Sequence, residues 1–202
     1  MEETKVEAAL NNVRAAIFCN NAKDSQGQYS GWCESYDKDA DTLNYQSPPQ
    51  AAKMFGKHCK DAKTVLDVAT GTGKAAQLIR GEYGYDGDLD LLDFNLNMLQ
   101  QADKKKLNIR KFIQHWVDDT GELPVKEGSY DVIICVGSFV PNHVPATAMC
   151  GLIVCSIYRK HHLIPVCVGP TQCCNQVIYR TRVKSSHFES RLKSSRVKLP
   201  IG

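Results

Sequence analysis

The sequence predicts an α/β fold built on a mostly parallel sheet, and three observations predict it. Short apolar runs of strand length recur at residues 65–69, 89–93, 109–117 and 130–136. Stretches of helical length separate the first three of these runs. The first strand-to-helix junction is a glycine-rich turn, Thr70-Gly71-Thr72-Gly73. Strands joined by helical crossovers lie parallel and are covered on both faces, so their centres read as continuous apolar runs rather than as alternation.

The elements follow in order. Residues 4–20 carry Val6, Leu10, Val13 and Ile17 at helical spacing and predict a helix. Residues 21–33 are polar and contain glycine, which predicts a loop, and residues 34–46 mix charges with Tyr36 and Tyr45. Pro48-Pro49 suits a first helical turn and predicts a helix over 50–60. Val65-Leu66-Asp67-Val68-Ala69 is the first strand, and Lys74 to Arg80 is helical. Leu89-Asp90-Leu91-Leu92-Asp93 is the second strand, and residues 96–105 are the next helix. Ile109–Val117 and Tyr130–Val136 are the third and fourth strands. Beyond Met149 the alternation stops; residues 151–157 and 163–168 each have strand character. The remainder is rich in Ser, Lys and Arg and predicts loose order.

A chain of 202 residues with 43% hydrophobic residues fits one domain with an extension. No stretch approaches the ~20 unbroken apolar residues of a membrane helix, so no membrane association is expected. Met1-Glu2-Glu3-Thr4 is acidic with no apolar run behind it, which argues against a signal peptide and for a cytoplasmic protein. Cys19, Cys33, Cys59 and Cys135 then read as reduced thiols without framework spacing. The net charge of +3 hides a split. Residues 150–202 hold nine Lys/Arg and one acid, Glu189, while residues 1–149 carry a net −5. The charge step places a boundary near 150. The expected organisation is an N-terminal helical lid segment (1–60), a ligand-binding core (61–149) and an atypical basic, Cys-rich tail, poorly ordered in part (150–202).

The spacing Gly71-x-Gly73-x-x-Ala76 matches a nucleotide-binding turn placed after a strand and before a helix. Asp93 follows Gly73 by 20 residues, at the end of the second strand, where a carboxylate accepts hydrogen bonds from ribose hydroxyls. Two further acids narrow the ligand. Asp67 lies inside the first strand, and a buried carboxylate is costly unless it is partnered. A dinucleotide would bring a pyrophosphate to this turn, which an acid there repels. S-adenosylmethionine (SAM) brings no phosphate, but an ammonium, a sulfonium and a carboxylate. Asp67 suits it by meeting the ammonium; the alternative is that Asp67 only braces the loop. Asp118-Asp119, after the third strand, are placed to accept from an adenine amino group, or else form a solvated acidic loop. A phosphate-binding P-loop is excluded, because Val68 and Ala75 stand where that motif needs Gly and Ser/Thr.

VLDVATGTGK (65–74), LDLLDFNLNMLQQA (89–102) and ELPVKEGSYDVIICVGSF (122–139) resemble successive motifs of the class I SAM-dependent methyltransferases. WCESYDKDADTLNYQSP (32–48) and VGSFVPNHVP (136–145) resemble the branch of methyltransferase-like proteins named for the Williams–Beuren syndrome critical region. The resemblance covers about residues 32–149 and implies a Rossmann-like class I methyltransferase core, three-layered and mostly parallel, with SAM as cofactor. It implies that Asp67, Gly71 and Gly73 hold the amino-acid end of SAM, with Ala69, Thr70 and Thr72 as further cofactor-binding candidates. Asp93, Phe94 and Met98 then take the ribose and adenine, Asp118 and Asp119 the adenine edge, and Val136 the strand-four side. Tyr36 and Tyr45 fall in the segment that closes over the cofactor. The family continues after strand four with a helix and a strand introduced by Pro-Gly-Gly; here CGLIVCSIYRKHHLIPVCVGP follows Met149 instead. The expectation is therefore a sheet incomplete at its C-terminal strands, with one flank of strand four exposed and open to self-association.

Methyl transfer requires orientation more than a dedicated base. His143, in the loop after strand four, is the candidate general base, with an exposed loop histidine as the rival reading. Ser138-Phe139-Val140-Pro141-Asn142 lacks the Asn/Asp-Pro-Pro-aromatic pattern of amino-group methylation on DNA bases, which favours a small-molecule acceptor. The tail cysteines do not supply paired zinc-ligand spacing, so no metal is expected. The basic tail lacks interleaved aromatics, so no nucleic-acid partner is expected. The two functional readings are an active SAM-dependent methyltransferase and a truncated SAM-binding form without catalysis. A nicotinamide-dependent oxidoreductase is disfavoured by Asp67.

Overall fold

The computed structural model describes residues 2–148, 152, 162–166 and 179–180. The strands β1 (Thr64–Val68), β2 (Asp88–Asp93), β3 (Lys111–Gln114), β4 (Val132–Val136), β5 (His162–Val166) and β6 (Tyr179–Arg180) form one sheet in the order β3-β2-β1-β4-β5-β6. The first five are parallel, and β6 runs antiparallel to β5. The helices are α1 (Glu2–Ile17), α2 (Ala22–Trp32), α3 (Tyr36–Thr42), α4 (Ser47–His58), α5 (Lys74–Tyr83) and α6 (Leu96–Lys104). The predicted parallel α/β core is present.

Strand pleating sorts the core into two faces. Val65, Leu89, Leu91, Val132 and Ile134 pack with Phe55 of α4, Ile79 of α5 and Leu99 of α6. Leu66, Val68, Leu92, Ile133 and Cys135 face the other way and are covered by Val117, Tyr130, Val144, Ala148 and Leu152. Both faces are thus buried, as the apolar runs require.

Four expectations need correction. Residues 21–33 are helical, not a loop: the Asn21 side chain caps α2 by accepting the Asp24 N–H at 3.0 Å. The glycines in α2 cost about 1 kcal/mol each in propensity. Tertiary contacts offset this, for Asn95 Nδ2 donates to Gln26 O and Ser30 Oγ at 2.9 Å each. The third strand pairs only over Lys111–Gln114 rather than 109–117. Of the stretch 151–157, only Leu152 is described, and it is helical and buried rather than extended. Finally, the expected open flank of β4 is occupied. β5 pairs with it from Val132↔His162 to Val136↔Val166. Pairing requires only an extended segment that offers backbone donors and acceptors, which does not depend on a Pro-Gly-Gly introduction. The ground for self-association through that flank is therefore removed. The remaining tail, with its cysteines and most of its basic residues, lies outside the described residues.

The amino-terminal end of the sheet is held by an ionic cluster around a buried carboxylate. Asp90 is fully buried and accepts from Arg110 Nε at 2.9 Å, Arg110 Nη2 at 2.7 Å and the Tyr130 hydroxyl at 2.6 Å. Each donor lies on or beside a different strand, so the cluster ties β2, β3 and β4 at one level. Tyr130→Phe removes one donor and leaves the bidentate pair. We expect a loss of about 1–2 kcal/mol in urea denaturation; an unchanged midpoint would mean that Arg110 alone satisfies Asp90.

Candidate active site and cofactor cleft

The candidate site lies where β1, β2 and β4 end. After Val68 the chain turns sharply: Ala69, Gly71 and Gly73 all have positive φ, at 53°, 57° and 74°. Glycine adopts this freely, whereas at Ala69 it is strain held by the surrounding structure. Gly73 also sets a close packing distance, since a Cβ there would lie 3.2 Å from the Cβ of Ala102 in α6.

Two carboxylates organise the turn. Asp93 is buried and accepts the Gly71 N–H through Oδ2 and the Asn95 N–H through Oδ1, each at 2.8 Å. Burial pushes its carboxyl up to about 6, against the lowering effect of those backbone bonds. Asp67 lies beneath the cavity rather than on its wall, and accepts from Thr70 Oγ1 at 2.7 Å. Burial pushes it up to about 7; the Thr70 bond lowers it and the charge of Asp93 raises it. The loop-bracing role is thus visible in the geometry. The same burial leaves two acids short of positive charge at one place, a setting that suits a cationic ligand and opposes a phosphate.

A cavity of about 60 Å³ above these residues collects much of the predicted set. Ala69, Gly71, Asp93, Phe94, Met98 and Val136 come to it from the strand ends and α6, and Tyr36 and Tyr45 come from the N-terminal segment. Thr72 points away from it, into the helical lid, where its Oγ1 donates to Asp37 Oδ1 at 2.6 Å. A larger cavity of about 510 Å³ adjoins. Asp118 and Asp119 line it, with Trp116, Phe139 and Val144. Both acids are exposed. The Thr120 hydroxyl and N–H lower the Asp118 carboxyl from its ordinary value, and Asp119 accepts from Thr147 Oγ1 at 3.2 Å.

His143 lines both cavities and is half-buried, unlike an exposed loop histidine. Its Nδ1 lies 2.8 Å from the Pro141 carbonyl oxygen, which can only accept, so Nδ1 carries a proton. Its Nε2 lies 2.9 Å from the Tyr29 hydroxyl. Desolvation depresses the imidazolium, which favours the neutral ring with a lone pair at Nε2. That lone pair accepts the Tyr29 O–H.

Tyr29 was missed by sequence reasoning, because its segment looked like a loop. It packs edge-on to Phe94 and His143, with ring centroids at 6.3 and 5.4 Å. Gly137 and Ser138 were missed as well, and both line the smaller cavity. A Cβ at Gly137 would overlap the Tyr45 hydroxyl, and its φ is +69°, so only glycine lets Tyr45 approach β4. No sequence signal marks Tyr29; the glycine directly after a buried strand marks Gly137.

Residues 65–153 match the family model described as a methyltransferase domain. Human methyltransferase-like protein 27 is 31% identical over 142 residues, covering 68% of this chain and 56% of the relative. Residues 65–153 of the chain are a methyltransferase domain. The demethylmenaquinone methyltransferase of Lactobacillus johnsonii is 36% identical to the chain over 84 residues, covering 40% of this chain and 34% of that protein. The chain therefore spans about half the length, or less, of these curated relatives. In fold, it is similar to a Methanococcus maripaludis protein assigned to the S-adenosyl-L-methionine-dependent methyltransferases. The TM-score is 0.54 and the identity 21%, over 67% of this chain and 62% of that one. It is also similar to a structure of a Haloferax volcanii protein assigned as a methyltransferase, in complex with the Trm112 methyltransferase activator. There the TM-score is 0.52 and the identity 19%, over 68% and 58% of the two chains. The match to a methyltransferase domain disfavours the nicotinamide alternative. Among the described residues, no helix is long and apolar enough to cross a membrane.

Proposed function

We propose that this chain binds SAM at the carboxyl ends of β1, β2 and β4 and transfers its methyl group to a small-molecule acceptor. One observation carries the reading: strand ends, α6 and the N-terminal tyrosines converge on one cavity beside two buried carboxylates. SAM supplies a methyl group on a sulfonium, an electrophile that needs orientation and a dry setting. In this reading Asp93 accepts from the ribose hydroxyls, and Phe94 and Met98 pack on the adenosine. Asp118 and Asp119 face the adenine amino group. Asp67 fixes the turn through Thr70 and puts negative charge beneath the ammonium. Tyr36 and Tyr45 exclude water.

His143 is the proton acceptor in this scheme. Its Nε2 lone pair is held ready because Nδ1–H is committed to Pro141. An acceptor O–H or N–H reaches it by replacing the Tyr29 hydroxyl as donor. Among the described residues, the lining of the larger cavity includes no Lys or Arg. This favours neutral or cationic small acceptors over anionic ones.

The test is calorimetric titration of the purified chain with SAM, S-adenosylhomocysteine and NADH. Micromolar binding of the first two and none of the third supports the reading. A folded, soluble chain that binds neither SAM-type ligand would reject it. Binding without turnover across a broad acceptor panel would point to the non-catalytic SAM-binding form.

A further inference from the structure

Small-ligand cavities hold roughly 300–1,000 Å³, yet the space between the N-terminal tyrosines and the strand ends is about 60 Å³. Besides the contacts that Asn95 and His143 make to α2, the N-terminal helices are drawn down onto the core by polar contacts of α3. On α3, Asp37 accepts from Thr72 Oγ1 at 2.6 Å through Oδ1, and its Oδ2 pairs with Lys105 Nζ at 2.5 Å. One turn further, Asp41 Oδ1 pairs with Lys74 Nζ at 2.6 Å. Thr72 belongs to the glycine-rich turn, Lys74 starts α5 and Lys105 caps α6. Two lid carboxylates therefore grip three points around the turn. The Lys105–Asp37 pair, 17% and 35% exposed, is shielded from solvent more than an ordinary surface ion pair, whereas Asp41 beside Lys74 is 70% exposed.

The lid is also stiff within itself. Asp39 Oδ2 accepts from Trp32 Nε1 at 2.7 Å, Asn12 Nδ2 at 2.8 Å and Ser35 Oγ at 3.3 Å, which joins α1, α2 and α3. Trp32 stacks on Tyr29 and packs against Tyr36, both of which face the cavity. A stiff lid opens as a unit, so the contacts at its edge set how often it opens.

We infer that Asp37 and Asp41 form an ionic latch which must release Thr72, Lys105 and Lys74 before the adenosyl ligand enters, so that latch opening limits cofactor association. This rests on the cofactor reading above. Neither carboxylate faces the cavity, so removing its charge frees the lid without removing a proposed cofactor contact.

The experiment is stopped-flow tryptophan fluorescence on the full chain mixed with increasing S-adenosylhomocysteine, with Trp32 in the lid and Trp116 at the cavity as reporters. Asp37→Asn and Asp41→Asn are compared with the wild type, and each is checked for native circular dichroism. We expect the wild-type rate to reach a ceiling with ligand concentration. We expect Asp37→Asn to raise that ceiling by roughly fivefold to tenfold, and Asp41→Asn by less. Rates that rise linearly with ligand and are the same in all three proteins would overturn the latch while leaving the cofactor site intact. Absence of heat in a parallel calorimetric titration would overturn the cofactor reading, and the latch with it.

Discussion

Asp93→Ala is expected to weaken SAM binding by about 100-fold or more while leaving the protein folded. Hydrogen bonds to a charged acceptor contribute about 1.5–3 kcal/mol each, and the proposed ribose contact supplies two. The change also strands the Gly71 and Asn95 N–H groups, which both donate to this carboxylate. That costs about 1–3 kcal/mol for each group kept from water. It simultaneously removes a buried carboxyl that burial has pushed up to about 6, an offset of the same order near neutral pH. Stability should therefore move little compared with affinity. Calorimetry with SAM and thermal melting on the same sample separate the two effects. Unchanged affinity would dismiss Asp93 as the ribose ligand.

Asp67→Asn is expected to stabilise the ligand-free protein at neutral and alkaline pH. The Asp67 carboxyl is 1% exposed and burial pushes it up to about 7, against about 3.9 in an unfolded chain. Below pH ~4 both states hold the proton and nothing is lost. Between pH ~4 and ~7 the unfolded chain ionises while the native one retains its proton, so wild-type stability falls as pH rises through that window. Above ~7 both states are ionised and the penalty stays constant, on the order of 4 kcal/mol. Asparagine does not titrate, and its Oδ1 can still accept from Thr70. Urea denaturation at pH 5 and pH 8 should show the variant gaining over wild type mainly at pH 8. Parallel pH dependence in the two proteins would mean that Asp67 is ionised at no cost. The same variant should bind SAM less tightly, because it removes the negative charge beneath the ammonium. Opposite signs for stability and affinity are expected of a carboxylate retained for a ligand.

Much of the core was legible because it rests on local rules. The apolar runs around Val65, Leu91 and Ile134 have no other use than a doubly covered strand. Gly71 and Gly73 announce a turn with positive φ, and Asp93 announces an acid at the end of β2. The lid was less legible. Its helix α2 contains Gly27, Gly31 and several polar residues, so propensity argues against it. It exists because Asn95 and Asp39 satisfy it from outside its own segment, Asp39 by accepting from Trp32 Nε1. Tyr29 was hidden with it, and so was the partner of His143.

Taken alone, the sequence determined the order of strands and helices from β1 to β4, the glycine turn, and which acids sit at strand ends. These depend on spacing along the chain, which the parallel crossover converts directly into position. Only the tertiary structure decided that β5 closes the flank of β4, that Thr72 turns toward Asp37, and that His143 meets Tyr29. Those pairings join residues far apart in the chain. Their energies come from burial and from satisfying polar groups in three dimensions, which no local pattern encodes.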